Sequence, residues 1–312
     1  MITSIFGRSK PINLIILGIT LFIFVLAYYL SDEHIGFNVS RLPSYLGMVI
    51  LTYFTMLVVG FINKKNQFTG NNSYLSLFFI LFLCMFPGVF NDSNMLFSNL
   101  FILFAFRRIV NMRSGHQVKL KILDASIWVC IATLFYPWAA LFFILVFTGI
   151  FLYGSNDLKN ILIPFVAVLF TGLLTITYLM YFKDLSVIQT AIEYRPELHI
   201  NKYRNARFFI PLLFMLGFGF ISTVIYVANI SRVAYKSSVP VFLLLVYMGI
   251  ALTVGMLDER NGSTELIFLG FPLTLLMVKY LETVKRYWLK ELYLWLYISI
   301  PLTVLILGIL RD

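Results

Sequence analysis

Acidic side chains at two predicted loop positions are the first residues of this chain that could carry out chemistry. Asp32 and Glu33 directly follow the first long apolar run, and Asp92 lies in the polar turn Asn91-Asp92-Ser93-Asn94. Neighbouring carboxylates can hold a divalent cation or act as a general base. The sequence therefore predicts Asp32, Glu33 and Asp92 as candidate catalytic residues, with a divalent cation as the cofactor if the protein is an enzyme.

Basic residues in the longest predicted loop, residues 182–207, form a second group of candidates. Arg195, Arg204 and Arg207 could hold a phosphate group, because the planar guanidinium binds phosphate through two parallel hydrogen bonds. Together with the three acids, these arginines would suit an enzyme that acts on a lipid-linked phosphate.

Each of these candidates also has a structural interpretation. An acidic pair after a first apolar helix is typical of a solvated flank, and Asp92 can cap the following helix because Asp favours helix starts. Loop 182–207 can form an amphipathic helix on the membrane surface. His34, His116 and His199 are scattered without the spacing of metal ligands, so no metal-histidine site is predicted.

The composition predicts a membrane protein. The chain has 312 residues, of which 60% are apolar and 12% are charged, and soluble domains average about 45–50% and about 25% respectively. This difference excludes a soluble protein, and with it nucleic-acid binding as the cause of the net charge of +10. Cys84 and Cys130 both lie in apolar runs, which predicts neither a disulfide framework nor a thiolate metal site.

Long apolar runs predict an all-α fold, a single transmembrane helical bundle over residues 1–312, because about 20 apolar residues cross the hydrocarbon core as a helix. The eleven predicted spans are 12–30, 44–62, 74–91, 95–106, 123–136, 138–153, 159–181, 208–230, 239–257, 264–280 and 292–310. Pro137 divides the stretch 123–153, and two short helices folded back there fit the lengths better than one kinked helix. An interfacial helix over 281–291, with aromatic anchors, is predicted to join the last two spans.

The basic residues set the predicted orientation, since Lys and Arg gather in cytoplasmic loops. With a cytoplasmic N-terminus and eleven spans, sixteen of the 24 basic residues but only four of the 14 acidic residues lie inside. Ten spans would break this alternation after residue 154, so the charges support the folded-back pair. The basic excess is thus explained by topology and by contact with anionic membrane lipids.

The order of these features resembles the GT-C superfamily, membrane glycosyltransferases that use polyprenyl-phosphate sugars. Residues 90–181 carry most of the likeness: Asp92 before LFSNLFILFAFRR, the short kinked pair DASIWVCIATLFYPWAALFFILVF, and a further span beginning LKNILIPF. The resemblance implies that Asp32 or Glu33 is the catalytic or metal-binding acid and that Asp92 is a second acid facing the same cavity. The first outside loop, 31–43, is much shorter than is usual in that superfamily.

The whole chain is also similar to an uncharacterised bacterial membrane family known only as a domain of unknown function. The predicted location is the bacterial inner membrane, with the N-terminus in the cytoplasm. The leading hypothesis is a non-catalytic subunit of a cell-envelope complex, built on a GT-C-like fold without activity and bound to another membrane protein. The small residues Gly217, Gly219 and Ser222 offer a modest helix-pairing pattern for that partner.

Two alternatives stay open. The first is a GT-C-type glycosyltransferase that uses a polyprenyl-phosphate-linked sugar at the periplasmic face. The second is a lipid or solute transporter, which would need a polar path across the membrane, and few ionisable residues lie deep in the predicted spans.

Overall fold

The apolar runs of the sequence form α-helices almost throughout. A computed structural model describes residues 2–31, 42–153, 157–182, 206–230, 235–257 and 264–309. The α-helices in these ranges are α1 Ile2–Phe6, α2 Pro11–Ser31, α3 Leu42–Asn66, α4 Tyr74–Met85, α5 Ser93–Val110, α6 Val118–Phe135, α7 Phe143–Leu152, α8 Leu158–Phe182, α9 Ala206–Ile230, α10 Tyr235–Leu257, α11 Ile267–Thr283 and α12 Tyr287–Ile309. Short 3-10 helices occupy Pro87–Asn91, Asn111–Ser114, Pro137–Phe142 and Thr264–Leu266. No strand occurs in these ranges, so the predicted all-α fold is confirmed for the described part of the chain.

Eight helical segments in the described ranges are long and apolar enough to cross a membrane. They include α2, α3, α5 and α8 to α12, and they correspond to eight of the eleven predicted spans. The other three predicted spans fall on α4, on α6 and on the segment Pro137–Leu152. Of these, α4 and Pro137–Leu152 are shorter apolar helices, and α6 carries three charged residues in its 18. The helices therefore indicate a membrane protein with eight candidate spans, and the count of eleven stays a prediction.

The chain forms two compact units. Unit 1 comprises Met1–Leu96, Ile200–Arg232 and Arg260–Asp312, and unit 2 comprises Phe97–His199 and Val233–Glu259. In unit 1, α11 packs against α4 and α9, and nearly all of its side chains are buried. In unit 2, α6 packs against α8, and α10 packs against α7 and the 3-10 helix before it. A single domain over 1–312 remains a prediction.

Helices α5 and α6 run antiparallel in unit 2. Near the start of α5, the ring of Phe97 stacks on Phe135 at the end of α6, with ring centroids 5.3 Å apart. Near the end of α5, Arg108 forms an ion pair of 2.9 Å with Asp124 in the second turn of α6. Rising residue numbers on α5 thus pair with falling numbers on α6, so the chain reverses between the two helices.

The chain reverses again at Pro137, as predicted from the sequence. Proline has no N–H to donate and cannot continue the ladder of α6, which ends at Phe135. At the far end of α7, Gly149 lies against Ile109 and the Tyr153 hydroxyl donates a hydrogen bond of 3.3 Å to the carbonyl of Val110. Because α7 ends where α5 ends, α6 and α7 run antiparallel to each other as a folded-back pair.

The structure divides the stretch 281–291 differently from the sequence-based prediction of one interfacial helix. Helix α11 extends to Thr283, residues 284–286 lie outside any helix, and α12 already begins at Tyr287. The reason is local, because the helix formers Leu289, Lys290, Glu291 and Leu292 continue directly into the apolar run. Tyr287, Trp288 and Lys290 therefore belong to the start of α12, whereas Lys285 and Arg286 lie in the short connection before it.

The small residues of α9 serve packing inside unit 1. A Cβ atom at Gly219 would come within 3.1 Å of the Leu273 side chain on α11, and Ser222 is fully buried. Only Gly217 of this pattern has open space within 4 Å of its Cβ position. Within the pattern that was expected to receive a partner helix, Gly219 is thus used for contact with α11.

Candidate functional site

Asp92 is the one predicted site residue whose side chain the structure describes. The other predicted acids, Asp32 and Glu33, lie outside the described residues, as do Arg195 and Arg204. Arg207 lies in the first turn of α9, and its side chain is outside the described part. The proposed convergence of these acids and arginines therefore stays a prediction.

Asp92 caps α5. Its carboxylate oxygen Oδ1 accepts a hydrogen bond of 3.1 Å from the backbone N–H of Met95, and its carbonyl accepts one of 3.3 Å from the N–H of Leu96. This is the geometry of an N-cap residue, whose side chain pairs with one of the free N–H groups of the first turn. The capping interpretation of Asp92 is therefore correct, and it leaves a second role for the carboxylate open.

Tyrosine and amide side chains surround the turn before Asp92. The Tyr29 hydroxyl donates a hydrogen bond of 2.6 Å to the carbonyl of Phe90, and Asn91 donates one of 3.1 Å to the Tyr28 hydroxyl. The 3-10 helix Pro87–Asn91 also contacts the 3-10 helix Thr264–Leu266. We call this end of unit 1 the Asp92 end.

Glu265, on that neighbouring 3-10 helix, is a second acid at the Asp92 end. It is fully buried, whereas acidic side chains are almost never fully buried unless they have partners. From the sequence alone, Glu265 was placed at the start of a predicted span and was not identified as a candidate site residue. In the sequence, Glu265 can be recognised as a charged residue immediately before the apolar run that starts at Leu266.

At the opposite end of unit 1, two glutamates bind elements together. This end is called the Lys10 end, and there α2, α4 and α12 begin while α3 and α11 end. Glu291 of α12 accepts hydrogen bonds from the backbone N–H and the hydroxyl of Thr3, at 3.1 and 2.6 Å. Glu282 of α11 accepts bonds of 2.7 Å from the N–H of Gly70 and 2.6 Å from the Asn72 amide. These carboxylates hold α1 against α12 and the α3–α4 loop against α11.

Asparagines fix the rest of the Lys10 end. The Asn13 amide donates hydrogen bonds to the carbonyls of Ile5 and Arg8 and to the Ser73 hydroxyl, at 2.9 to 3.1 Å. Asn63 of α3 accepts a bond of 3.0 Å from the N–H of Thr69 in the α3–α4 loop. The loop is thus bound on two sides, which gives it a defined shape.

A cavity of about 800 Å³ opens at the Lys10 end, between the start of α2, the end of α3 and the α3–α4 loop. Lys10, Lys64 and Asn72 line its polar part, while Leu57 and Phe61 belong to its apolar wall. Neither lysine side chain forms an ion pair or a hydrogen bond with a residue that the structure describes. The cavity therefore combines two positive charges, amide groups and an apolar surface.

Asn99 in unit 2 is a buried amide that was not identified as a candidate from the sequence. Asn99 of α5 is fully buried, and neither polar atom of its side chain has a hydrogen-bond partner among the described residues. An unpaired buried amide costs roughly 1–3 kcal/mol. In the sequence, Asn99 can be recognised as a polar residue inside the apolar run LFSNLFILF.

A metal site requires several ligand side chains close together. Within the described ranges, no three His, Cys, Asp or Glu residues lie close enough together to hold a metal ion. The predicted divalent cation would involve Asp32 and Glu33, which fall outside those ranges, so that expectation stays a prediction.

Comparison with known proteins places the chain in a family. The chain belongs to a family of unknown function, DUF6427, whose pattern matches residues 7–307. This covers nearly the whole chain and agrees with the expected similarity to a domain of unknown function. No curated protein and no solved structure matches the chain.

Proposed function

We propose that this member of the DUF6427 family is a non-catalytic subunit of a membrane-protein complex in the cell envelope. The observation that carries the proposal is the role of three of the four acidic side chains that the structure describes in unit 1. Asp92 caps α5, Glu282 binds the α3–α4 loop and Glu291 binds Thr3. These groups hold helices and loops in place, which is the use expected in a scaffold.

We assign the exposed apolar surface of helix α8 to contact with the partner subunit. The helix is 25 residues long, and only 11% of its most apolar stretch is buried. Leu162, Phe165, Leu169 and Leu173 are all more than half exposed. Gly172 on the same helix has nothing within 4 Å of its Cβ position, so another helix can approach closely there. The partner is therefore a second membrane protein with an apolar helix.

The test is a gentle detergent purification of the tagged protein from its native membrane, followed by mass spectrometry of bound proteins and lipids. We expect a membrane protein in stoichiometric amount. Gly172→Leu should reduce its recovery at least fivefold, because the added side chain occupies the surface of α8. Gly217→Leu is the matched control, since Gly217 also has open space and lies on α9.

Recovery of the protein alone with a retained polyprenyl-phosphate lipid would contradict the subunit role. Loss of the partner in both glycine variants, with normal folding, would contradict the assignment to α8. We place the complex in the bacterial inner membrane with the N-terminus in the cytoplasm, on the charge distribution of the loops.

A GT-C-type glycosyltransferase is the second candidate. It is favoured by the Asp92 end, where the buried Glu265 lies on a segment that contacts Pro87–Asn91, directly before Asp92. Two acidic residues on adjoining segments could serve a sugar-transfer reaction as base and electrostatic partner. Substitution of Asp92 by asparagine separates this role from capping, because asparagine keeps the cap and removes the charge.

A further inference from the structure

The cavity at the Lys10 end has the composition and position of a lipid site. Its lining includes the side chains of Lys10 and Lys64 together with Leu14, Leu57 and Phe61. Positive and apolar surfaces meet in one cavity of about 800 Å³. An amphiphile with an anionic head satisfies both surfaces at once, whereas a free inorganic anion leaves the apolar wall in water.

Both lysines lie at the ends of candidate spans, where lipid headgroups are expected. Lys10 directly precedes the candidate span Pro11–Leu30, and Lys64 lies in the last turn of the candidate span Leu42–Asn66. The apolar lining residues Leu14 and Leu57 lie inside the same two spans. The charged part of the cavity is therefore expected at the membrane–water boundary and the apolar part in the hydrocarbon region.

We propose that this cavity binds an anionic membrane phospholipid, with Lys10 and Lys64 on its phosphate group and an acyl chain along Leu57 and Phe61. The lysine side chains are available for this contact, because neither is bonded to a described residue. The hydrogen bonds from Thr69 to Asn63 and from Gly70 and Asn72 to Glu282 hold the rim in shape before the lipid arrives. Such preorganisation lowers the entropic cost of binding.

The absence of a side chain at Gly60 leaves space in the cavity for the lipid. Gly60 lines the cavity, and a Cβ atom there would meet only the Ser76 hydroxyl at 3.4 Å. A larger side chain at this position therefore extends into the cavity without colliding with the backbone. The site goes beyond the proposed subunit role, and it is measured on the purified chain alone, so its failure is distinct from the absence of a partner protein.

The lysine experiment titrates phosphatidylglycerol into the delipidated full-length protein in detergent and counts bound lipids by native mass spectrometry. We expect saturable binding of one phosphatidylglycerol. Lys10→Gln and Lys64→Gln should each weaken it about fivefold, the usual effect of one lysine near an anionic lipid surface. Lys65→Gln is the matched control, because Lys65 is exposed in the same turn of α3 and does not line the cavity.

The glycine experiment tests the cavity independently of charge. Gly60→Leu should weaken phosphatidylglycerol binding at least fivefold, while Gly47→Leu on the same helix should leave it unchanged, since Gly47 has open space around it and lies outside the cavity. Thermal melting establishes that both variants are folded, and if Gly60→Leu is not, the lysine series decides.

Three results would overturn the proposal. Equal weakening by Lys65→Gln would indicate a general charge effect. Equal affinity for phosphatidylcholine, whose headgroup has no net charge, would show that the lysines do not select the lipid. Binding of inorganic phosphate that depends on Lys10 and Lys64, without binding of phosphatidylglycerol, would assign the site to a free phosphate.

Discussion

At the scale of single residues, Asp92 shows how a candidate catalytic side chain can have a structural task. It follows a short 3-10 helix and precedes the long helix α5, and its carboxylate accepts the N–H of Met95. Asparagine caps helices as well as aspartate does, whereas alanine does not. The pair Asp92→Asn and Asp92→Ala therefore separates the charge of this residue from its cap.

We expect Asp92→Ala to lower the free energy of unfolding by about 1 kcal/mol and Asp92→Asn to leave it nearly unchanged. Thermal melting of the purified variants measures this difference. If the protein is a non-catalytic subunit, Asp92→Asn should also complement a deletion strain fully. A variant Asp92→Asn that melts normally but fails to complement would show that the charge is needed, and would favour the glycosyltransferase.

At the scale of helices, close approach of α7 to α5 depends on a single glycine. A Cβ atom at Gly149 would overlap the Cγ2 atom of Ile109, and a β-branched side chain has few rotamers into which it can move. The hydrogen bond from Tyr153 to Val110 lies at the same end of the pair. The close contact between α7 and α5 therefore includes one position where no side chain fits.

Gly149→Ala should destabilise the protein by about 1–3 kcal/mol, the usual cost of overpacking, although alanine favours a helix by about 1 kcal/mol. Gly172→Ala is the control, because Gly172 is also inside a helix and has open space. That variant should be neutral or more stable. Thermal melting of both variants in one detergent is the measurement, and equal effects of the two substitutions would contradict the close contact.

At the scale of the whole molecule, the reversal at Pro137 decides how the chain crosses the membrane. Because α5 and α7 end at the same place, the segment after α5 and the start of α8 are expected on one side of the membrane. The start of α5 is expected on the other side. This is the topology that the distribution of basic residues predicts.

Cysteine labelling of intact cells tests that topology. His116→Cys and Asp157→Cys should react from the same side with a reagent that does not cross membranes, and Asn94→Cys should react from the opposite side. Background labelling should be low, because both native cysteines, Cys84 and Cys130, are buried. Reaction of Asp157→Cys from the side of Asn94→Cys would contradict a pair that crosses the membrane twice.

Several features of this protein were determined by the sequence alone. The positions of the long helices follow from apolar runs of sufficient length, the break between α6 and α7 follows from Pro137, and the cap of α5 follows from Asp92 before an apolar run. These features depend on interactions between residues close in the chain. For that reason they can be recognised without knowledge of the packing.

Other features were decided only by the tertiary structure. The cavity joins Lys10 to Lys64, Glu282 binds a loop far away in the sequence, and Gly219 packs against Leu273 of α11. Each depends on which helices become neighbours, and mainly aliphatic helices carry little information about their neighbours because their apolar side chains pack without direction. Hydrogen bonds between distant residues and the space left between helices arise only when the chain is folded.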